Sequence, residues 1–442
     1  MKTYLARLPQ DFMSLIDAAG ALASARNETA YLVGGFVRDL ILGGRNFDLD
    51  IVVEGDGIAF SHEYARRLQG RVTSHHRFGT ATVYLAHHLK VDIATARKET
   101  YPQPAHLPVV QPGSLRDDLF RRDFTVNAMA LQISGSESGR LIDFFGGRKD
   151  LEDGILRVLH PVSFIDDPTR ILRGIRFEQR FGFIFERHTL GLLRSALRQS
   201  MLERVEPQRL RDEVILLLKE DSPRKAIRRV AALAGLSFIS PKLRPDPDMM
   251  RTLAQIERRI PWFQAHASCA RPIEKWLVYF MGLVGGLSVP DIHAVCRRFV
   301  FRKADEKRIV SCVEVCNKAV AALAKKDLRR SEAFHILDPL SYEVIILMLS
   351  RTDRKLVLGR IMEFLKFTSG TKISVSGHDL GACGLKPGPH YQRILKTVLS
   401  AKLDGRAPDK SSELRLARQL AREEMNRKGQ QHASSRTRQT GD

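Results

Sequence analysis

The pattern of apolar and polar positions changes character once along the chain. Up to about residue 145, short apolar runs of strand period alternate with helix-like stretches. Residues 31–33 form an apolar strand running into Gly34-Gly35, and residues 36–42 have the spacing of a short helix. Residues 47–53 alternate acidic and apolar side chains, as a half-buried strand does, and 59–68 read as a helix. Two strands, 80–85 and 89–94, are joined through His87-His88, and 124–133 predict buried structure with a strand after a turn. Prolines and a glycine crowd residues 101–114, which predicts a loop. Leu5, Leu8, Phe12, Leu15 and Ile16 share one helix face at the N-terminus. From about residue 147 apolar residues recur at three and four, with Gly and Pro marking short links, and 168–181, 209–218, 272–284 and 340–349 are examples. The expected fold class is therefore α+β. A small head of mixed β-sheet with flanking helices covers 1–146, a helical neck 147–245, and an elongated helical body and tail 246–426. Residues 427–442, polar, basic and poor in aliphatics, are expected to be disordered.

Charge narrows the possible partners. The 442 residues hold 71 Lys and Arg against 50 Asp and Glu, a formal net charge of +21. With an ordinary apolar content, that surplus favours a polyanion, and nucleic acid before an anionic membrane, because the basic residues are spread along helical segments. Arg297-Arg298, Arg302-Lys303, Lys325-Lys326 and Arg329-Arg330 are the densest clusters, though only the aggregate charge carries the inference. No run of about 18 apolar residues predicts a membrane span. The five cysteines, Cys269, Cys296, Cys312, Cys316 and Cys383, make no zinc spacing and read as reduced thiols of a cytoplasmic protein.

The candidate chemistry begins at Gly34-Gly35-Phe36-Val37-Arg38-Asp39, followed by Asp48-Leu49-Asp50. Two glycines at a strand end let backbone approach a bulky anion, a helix starting there aims N–H groups at it, and Arg38 can add a charge-assisted contact. Asp48 and Asp50, two apart on a strand, point to one face. Paired carboxylates beside a phosphate cradle suit Mg²⁺, which takes one or two carboxylates plus substrate phosphates. Either piece alone is commonplace, a turn or a solvated strand edge. Together, residues 32–50, LVGGFVRDLILGGRNFDLD, resemble the signature of the polymerase-β-like nucleotidyltransferases, in the branch holding bacterial CCA-adding enzymes and poly(A) polymerases.

Further segments carry the same resemblance. KVDIATAR, residues 90–97, is similar to the strand that brings a third carboxylate, here Asp92. RRDFTVNA, residues 121–128, resembles the ribose-handling segment, with Arg122 toward phosphate and Asp123 and Asn127 toward sugar hydroxyls. DDPTRILRGIRF, residues 166–177, resembles the base-selecting helix, in which Asp167 and Arg170 would read the incoming base. Asp166 stands where that family usually has Glu. Asp167 and Pro168 also read simply as a helix cap and first position. Arg173 and Arg176 continue along this helix, and the resemblance implies that they join the nucleotide contacts. EPQRLRDE, residues 206–213, is taken as structural, and SGHDLGACGLKPGP, residues 376–389, is similar to the segment where the tail meets tRNA. The resemblance implies addition of all or part of the 3′-terminal CCA of tRNA from CTP and ATP, with poly(A) addition as the alternative. A non-catalytic RNA-binding relative would be expected to have lost a metal ligand, and a small-molecule nucleotidyltransferase would need neither the long helical part nor the charge.

Overall fold

The computed structural model describes Leu5 and residues 8–44, 48–267 and 272–437, with side chains to 427. It divides the chain into two compact units, 1–238 and 239–442. The residues of the expected head and neck, up to 238, thus fall in one unit.

The first unit is built on a seven-stranded mixed sheet. Its strands in chain order are β1 (Thr29–Val33), β2 (Leu49–Glu54), β3 (Arg71–His75), β4 (Thr80–Tyr84) and β5 (Lys90–Thr95). After the two-stranded ribbon of β6 (Arg97–Thr100) and β7 (Val109–Pro112) come β8 (Met129–Gln132) and β9 (Leu141–Asp143). The sheet order is β3-β4-β5-β2-β1-β8-β9. Only β2 and β5 run parallel within it, with Asp50 opposite Asp92. One face buries Tyr31, Val33, Val52 and Ala130 against Leu115 and Leu119 of the short helix Leu115–Phe120. The helix Gln10–Ala25 begins later than the sequence face suggests, and the Tyr64 hydroxyl ties the helix Gly57–Arg67 to it by donating to the Leu15 carbonyl at 2.8 Å. The segment 101–114 is not all loop. Val109–Pro112 pairs with Arg97–Thr100, which leaves Pro112 at the ribbon's end, where its missing N–H does no harm.

The helix Thr169–Phe181 is placed by its glycine. A Cβ at Gly174 would stand 2.7 Å from carbons of Phe124 and Phe185, so only glycine lets this helix lie so close to its neighbours. The Asp167 carboxylate accepts from the Thr169 amide and hydroxyl at 3.1 and 2.6 Å. The capping predicted for Asp167 is therefore present, with Pro168 itself at the boundary and not inside the first turn.

In the second unit the helix Lys275–Val284 is apolar all round, and every residue from Trp276 on is buried. It packs between Pro247–His266 and Tyr342–Arg351, as an all-apolar helix in a water-soluble core must. A separate cluster, including Leu380, Ile394, Val398, Ala417 and Ala421, holds the helices Gly377–Ala382 and Pro389–Leu403 against the last helix. That last helix, Lys410–Thr437, runs on past residue 427, where the sequence reading placed the start of a disordered tail. Residues 438–442 lie outside the described residues. Cys312 and Cys316 fall on successive helices, both buried, and no disulfide joins the described cysteines, while Cys269 lies outside them. Among the described residues no single helix is long and apolar enough to cross a membrane.

Candidate active site

A cleft of about 520 Å³ opens in the first unit, lined by Asp50 from the start of β2 and by residues of the helix Thr169–Phe181. Ten of the residues singled out from sequence line it: Gly35, Arg38, Asp50, Arg122, Asp123, Asn127, Asp167, Arg170, Arg173 and Arg176. Nine arginines and four carboxylates surround it in all.

At one end stand the acidic residues. The parallel register puts Asp50 and Asp92 side by side on one sheet face. Asp92 accepts from the Thr82 hydroxyl at 2.5 Å. The Lys90 ammonium lies 3.5 Å from Asp48 and 3.4 Å from Asp92, so one positive charge stands among these carboxylates. Asp48 is well exposed beside the cleft. Burial pushes the Asp50 carboxyl up to about 6, with Arg122 opposing and Asp92 and Asp48 adding to the rise. An acid held in that condition is short of positive charge. Among the described residues no group of three His, Cys, Asp or Glu is placed to hold a metal ion. An ion here would take one or two of these carboxylates and draw the rest of its shell from water and phosphate.

Next to them is the glycine turn. Gly34 has φ +67° and ψ −133°, a conformation for glycine, and a Cβ there would lie 2.5 Å from Nη1 of Arg122. The helix Gly35–Leu42 starts directly behind it. Arg38 is nearly buried and heavily engaged: Nε and Nη2 donate to Asp39 at 2.8 and 2.9 Å, Nη1 donates to Asn127 at 2.6 Å, and the guanidinium lies over Phe177 and Phe181. It forms the cleft wall more than a free arm toward phosphate. Arg122 is anchored by donating to Asp118 at 2.9 Å. Asp123 takes Nε and Nη2 of Arg173 at 3.0 and 2.8 Å and the Asn127 amide at 2.8 Å. Burial alone would raise the Asp123 carboxyl; Arg173 and Asn127 more than reverse this and hold it down to about 2.

At the far end lies Asp167, and Arg170 is buried beside it, donating to Ser163 at 2.6 Å and to the Arg121 carbonyl at 2.7 Å. Three arginines lining the cleft each bury a nitrogen with no hydrogen-bond partner: Nε of Arg122, Nε of Arg176 and Nη1 of Arg209. Arg176 has only long ion pairs, 3.7 Å to Glu213 and 3.6 Å to Glu220. The surplus of arginines over carboxylates around the cleft suits an anion.

Sequence reasoning missed two parts of this cleft. Glu99 on β6 accepts from Arg97 at 2.9 Å, Arg121 at 3.1 Å and Tyr101 at 3.0 Å, and Arg97, Glu99, Tyr101 and Arg121 line the floor. Glu99 lies on β6, just before the segment 101–114 taken for a loop that begins with Tyr101, and strand alternation in RKET was the available signal; Arg97 and Arg121 belong to segments already singled out, though not as site residues. Arg209, from the segment taken as structural, donates to Asp167 at 2.9 Å.

Comparison with known proteins agrees with this geometry. Residues 30–157 match the poly(A) polymerase head domain. An A-adding tRNA nucleotidyltransferase of Geobacter sulfurreducens is 37% identical over 421 residues, 94% of this chain and 48% of its own length. The chain thus spans about half of that relative. Another A-adding tRNA nucleotidyltransferase, of Halalkalibacterium halodurans, is 33% identical over 93% of both chains. The solved structure of a Thermotoga maritima CCA-adding enzyme complexed with tRNA is 33% identical, with a TM-score of 0.74 over 94% of this chain and 97% of that one.

Proposed function

The chain belongs to the tRNA nucleotidyltransferase family, and from that premise we infer that it transfers nucleotides from a ribonucleoside triphosphate to the 3′ end of tRNA, with release of pyrophosphate. The terminal A, from ATP, is the addition we favour, since curated A-adding relatives are 33–37% identical over 83–94% of this chain, whereas curated CCA-adding ones are 25–29% identical over 92–96%. One observation carries the catalytic reading. Asp50 and Asp92 stand paired in register at one end of an arginine-rich cleft whose other end holds Asp167.

The residues divide the work by position. Mg²⁺ held by Asp48 and Asp50, beside Asp92, would supply charge stabilisation at the attacking and leaving oxygens. Gly34 and Gly35 bring backbone close to the triphosphate, and Arg122 and Arg176 line the cleft that would receive it. Asp123 and Asn127, locked by Arg173 and Arg38, offer fixed polar atoms to the ribose. Asp167 and Arg170 meet the base edge. Rigid placement of this kind lowers the barrier chiefly by orientation and preorganised charge. The cytoplasm, where free thiols persist, suits the cysteines.

The test is single-nucleotide extension with Mg²⁺ on tRNA ending before CCA, after one C and after CC, beside an unstructured RNA. Growth of the CC-ended tRNA by one A is expected. Addition of C first widens the reading to CCA, long A-tails on any RNA replace it with poly(A) addition, and no growth on any acceptor overturns it. Asp167→Ala is expected to lose discrimination among the four nucleotides by about 10-fold or more while KM for the preferred triphosphate moves little, since a base contact has gone and the phosphate contacts remain. Unchanged discrimination would remove Asp167 from base selection.

A further inference from the structure

Asp167 sits within a particular set of donors. Its Oδ1 accepts three hydrogen bonds: the Thr169 amide at 3.1 Å, the Thr169 hydroxyl at 2.6 Å and Nη2 of Arg209 at 2.9 Å. Among the described residues none donates to Oδ2. One oxygen is therefore fully used in holding the side chain, and the other is left to accept from outside. Two of the three bonds come from the adjoining helix turn and would form in any Asp-x-Thr start. The third comes from the first turn of another helix, Pro207–Lys219, 42 residues away.

Arg209 is held in this place at a cost. Its Nη1 is buried with no partner, an unmet donor that folding must offset. Among the described residues its side chain makes one hydrogen bond, to Asp167. Arg170, by contrast, gives its two terminal nitrogens to Ser163 and to the Arg121 carbonyl and makes no bond to Asp167. Arg209 also lines both the main cleft and a neighbouring cavity of about 410 Å³, so its guanidinium forms part of the partition beside the carboxylate.

We propose that Arg209 is a positioning residue for base selection: it fixes the rotation of the Asp167 carboxylate so that Oδ2 alone is presented to the exocyclic amine of the incoming base. The inference rests on the reading of Asp167 given above. An amine donor is common to adenine and cytosine, whereas guanine and uracil present a carbonyl at the equivalent position of the pairing edge and would meet Oδ2 with lone pair against lone pair. Fixing the carboxylate turns that mismatch into discrimination, because a carboxylate free to rotate could turn away from it. The neutral alternative is that Arg209 only joins two helices.

The experiment compares wild type, Arg209→Met and Arg209→Lys on a tRNA acceptor with each of the four ribonucleotides, reading kcat/KM for each. Arg209→Met is expected to lower discrimination between amine-bearing and carbonyl-bearing bases by about 10–100-fold, the worth of a charge-assisted hydrogen bond, with Arg209→Lys recovering part of it. If Arg209→Met does not fold, Arg209→Lys alone decides the matter, since a compact ammonium keeps the charge but not the planar geometry. An equal fall for all four nucleotides, or unaltered discrimination in the folded variant, overturns the proposal. Wild-type protein that extends no RNA would overturn the functional reading itself, a result distinct from either.

Discussion

Asp50→Asn will abolish nucleotide transfer, a fall of at least about 10²–10³ in kcat by the usual loss of one electrostatic transition-state group, while leaving the fold as stable as before or more so. The two effects have one origin. Asp50 is largely buried beside two other carboxylates, and its carboxyl is pushed up to about 6, so the ionised form present at neutral pH opposes folding. Asparagine has the same shape and no charge, which relieves that opposition. It also removes one carboxylate oxygen and one negative charge from the place where we propose that metal and phosphate meet. Melting temperature, RNA binding and single-turnover extension measured on one preparation test this. A variant that still extends RNA would sink the assignment of Asp50, and a large fall in melting temperature would show that Asp50 serves structure instead.

Gly34→Ala has the next largest expected effect and acts on both stability and rate. The backbone at Gly34, φ +67° and ψ −133°, strains any residue with a Cβ by about 1–3 kcal/mol. The new methyl would also sit 2.5 Å from Nη1 of Arg122. That guanidinium cannot swing away freely, because Asp118, fully buried, holds its other nitrogen at 2.9 Å. Either the turn opens or Arg122 moves out of the cleft, and each withdraws a triphosphate contact. A lower urea midpoint and a rise in KM for the nucleotide of about 10-fold or more are expected. Wild-type values for both would mean that the turn adapts and that Arg122 is not a phosphate ligand.

Much of this site was legible because its signals are local. Asp48 and Asp50 follow from strand alternation and Gly34-Gly35 from the junction of strand and helix, whereas Asp167 was singled out by the resemblance of residues 166–177, its place at a helix start implying only a cap. What sequence could not supply is register. Whether Asp92 lies beside Asp50 depends on β5 joining β2 in parallel without a shift, and a slip of one residue would have turned it to the other face. Arg209 was read as structural because its partner is 42 residues away, and an arginine in a helical segment gives no sign of which carboxylate it meets. The ribbon was hidden by its prolines, whose turn signal outweighed the short alternation of Arg97–Thr100. The role of Arg38 was legible only as a positive charge; its engagement by Asp39, Asn127 and two phenylalanines is a product of packing.

The division of the chain at 238/239 has a consequence for how such proteins diverge. Every residue around the nucleotide cleft precedes that junction, the last being Arg209. A crossover between two related genes near the junction would hand down the complete nucleotide-selecting apparatus from one parent, with its paired charges intact, whatever the other parent contributes. Divergence confined to residues 239–442 would therefore leave every described residue that lines the cleft unaltered.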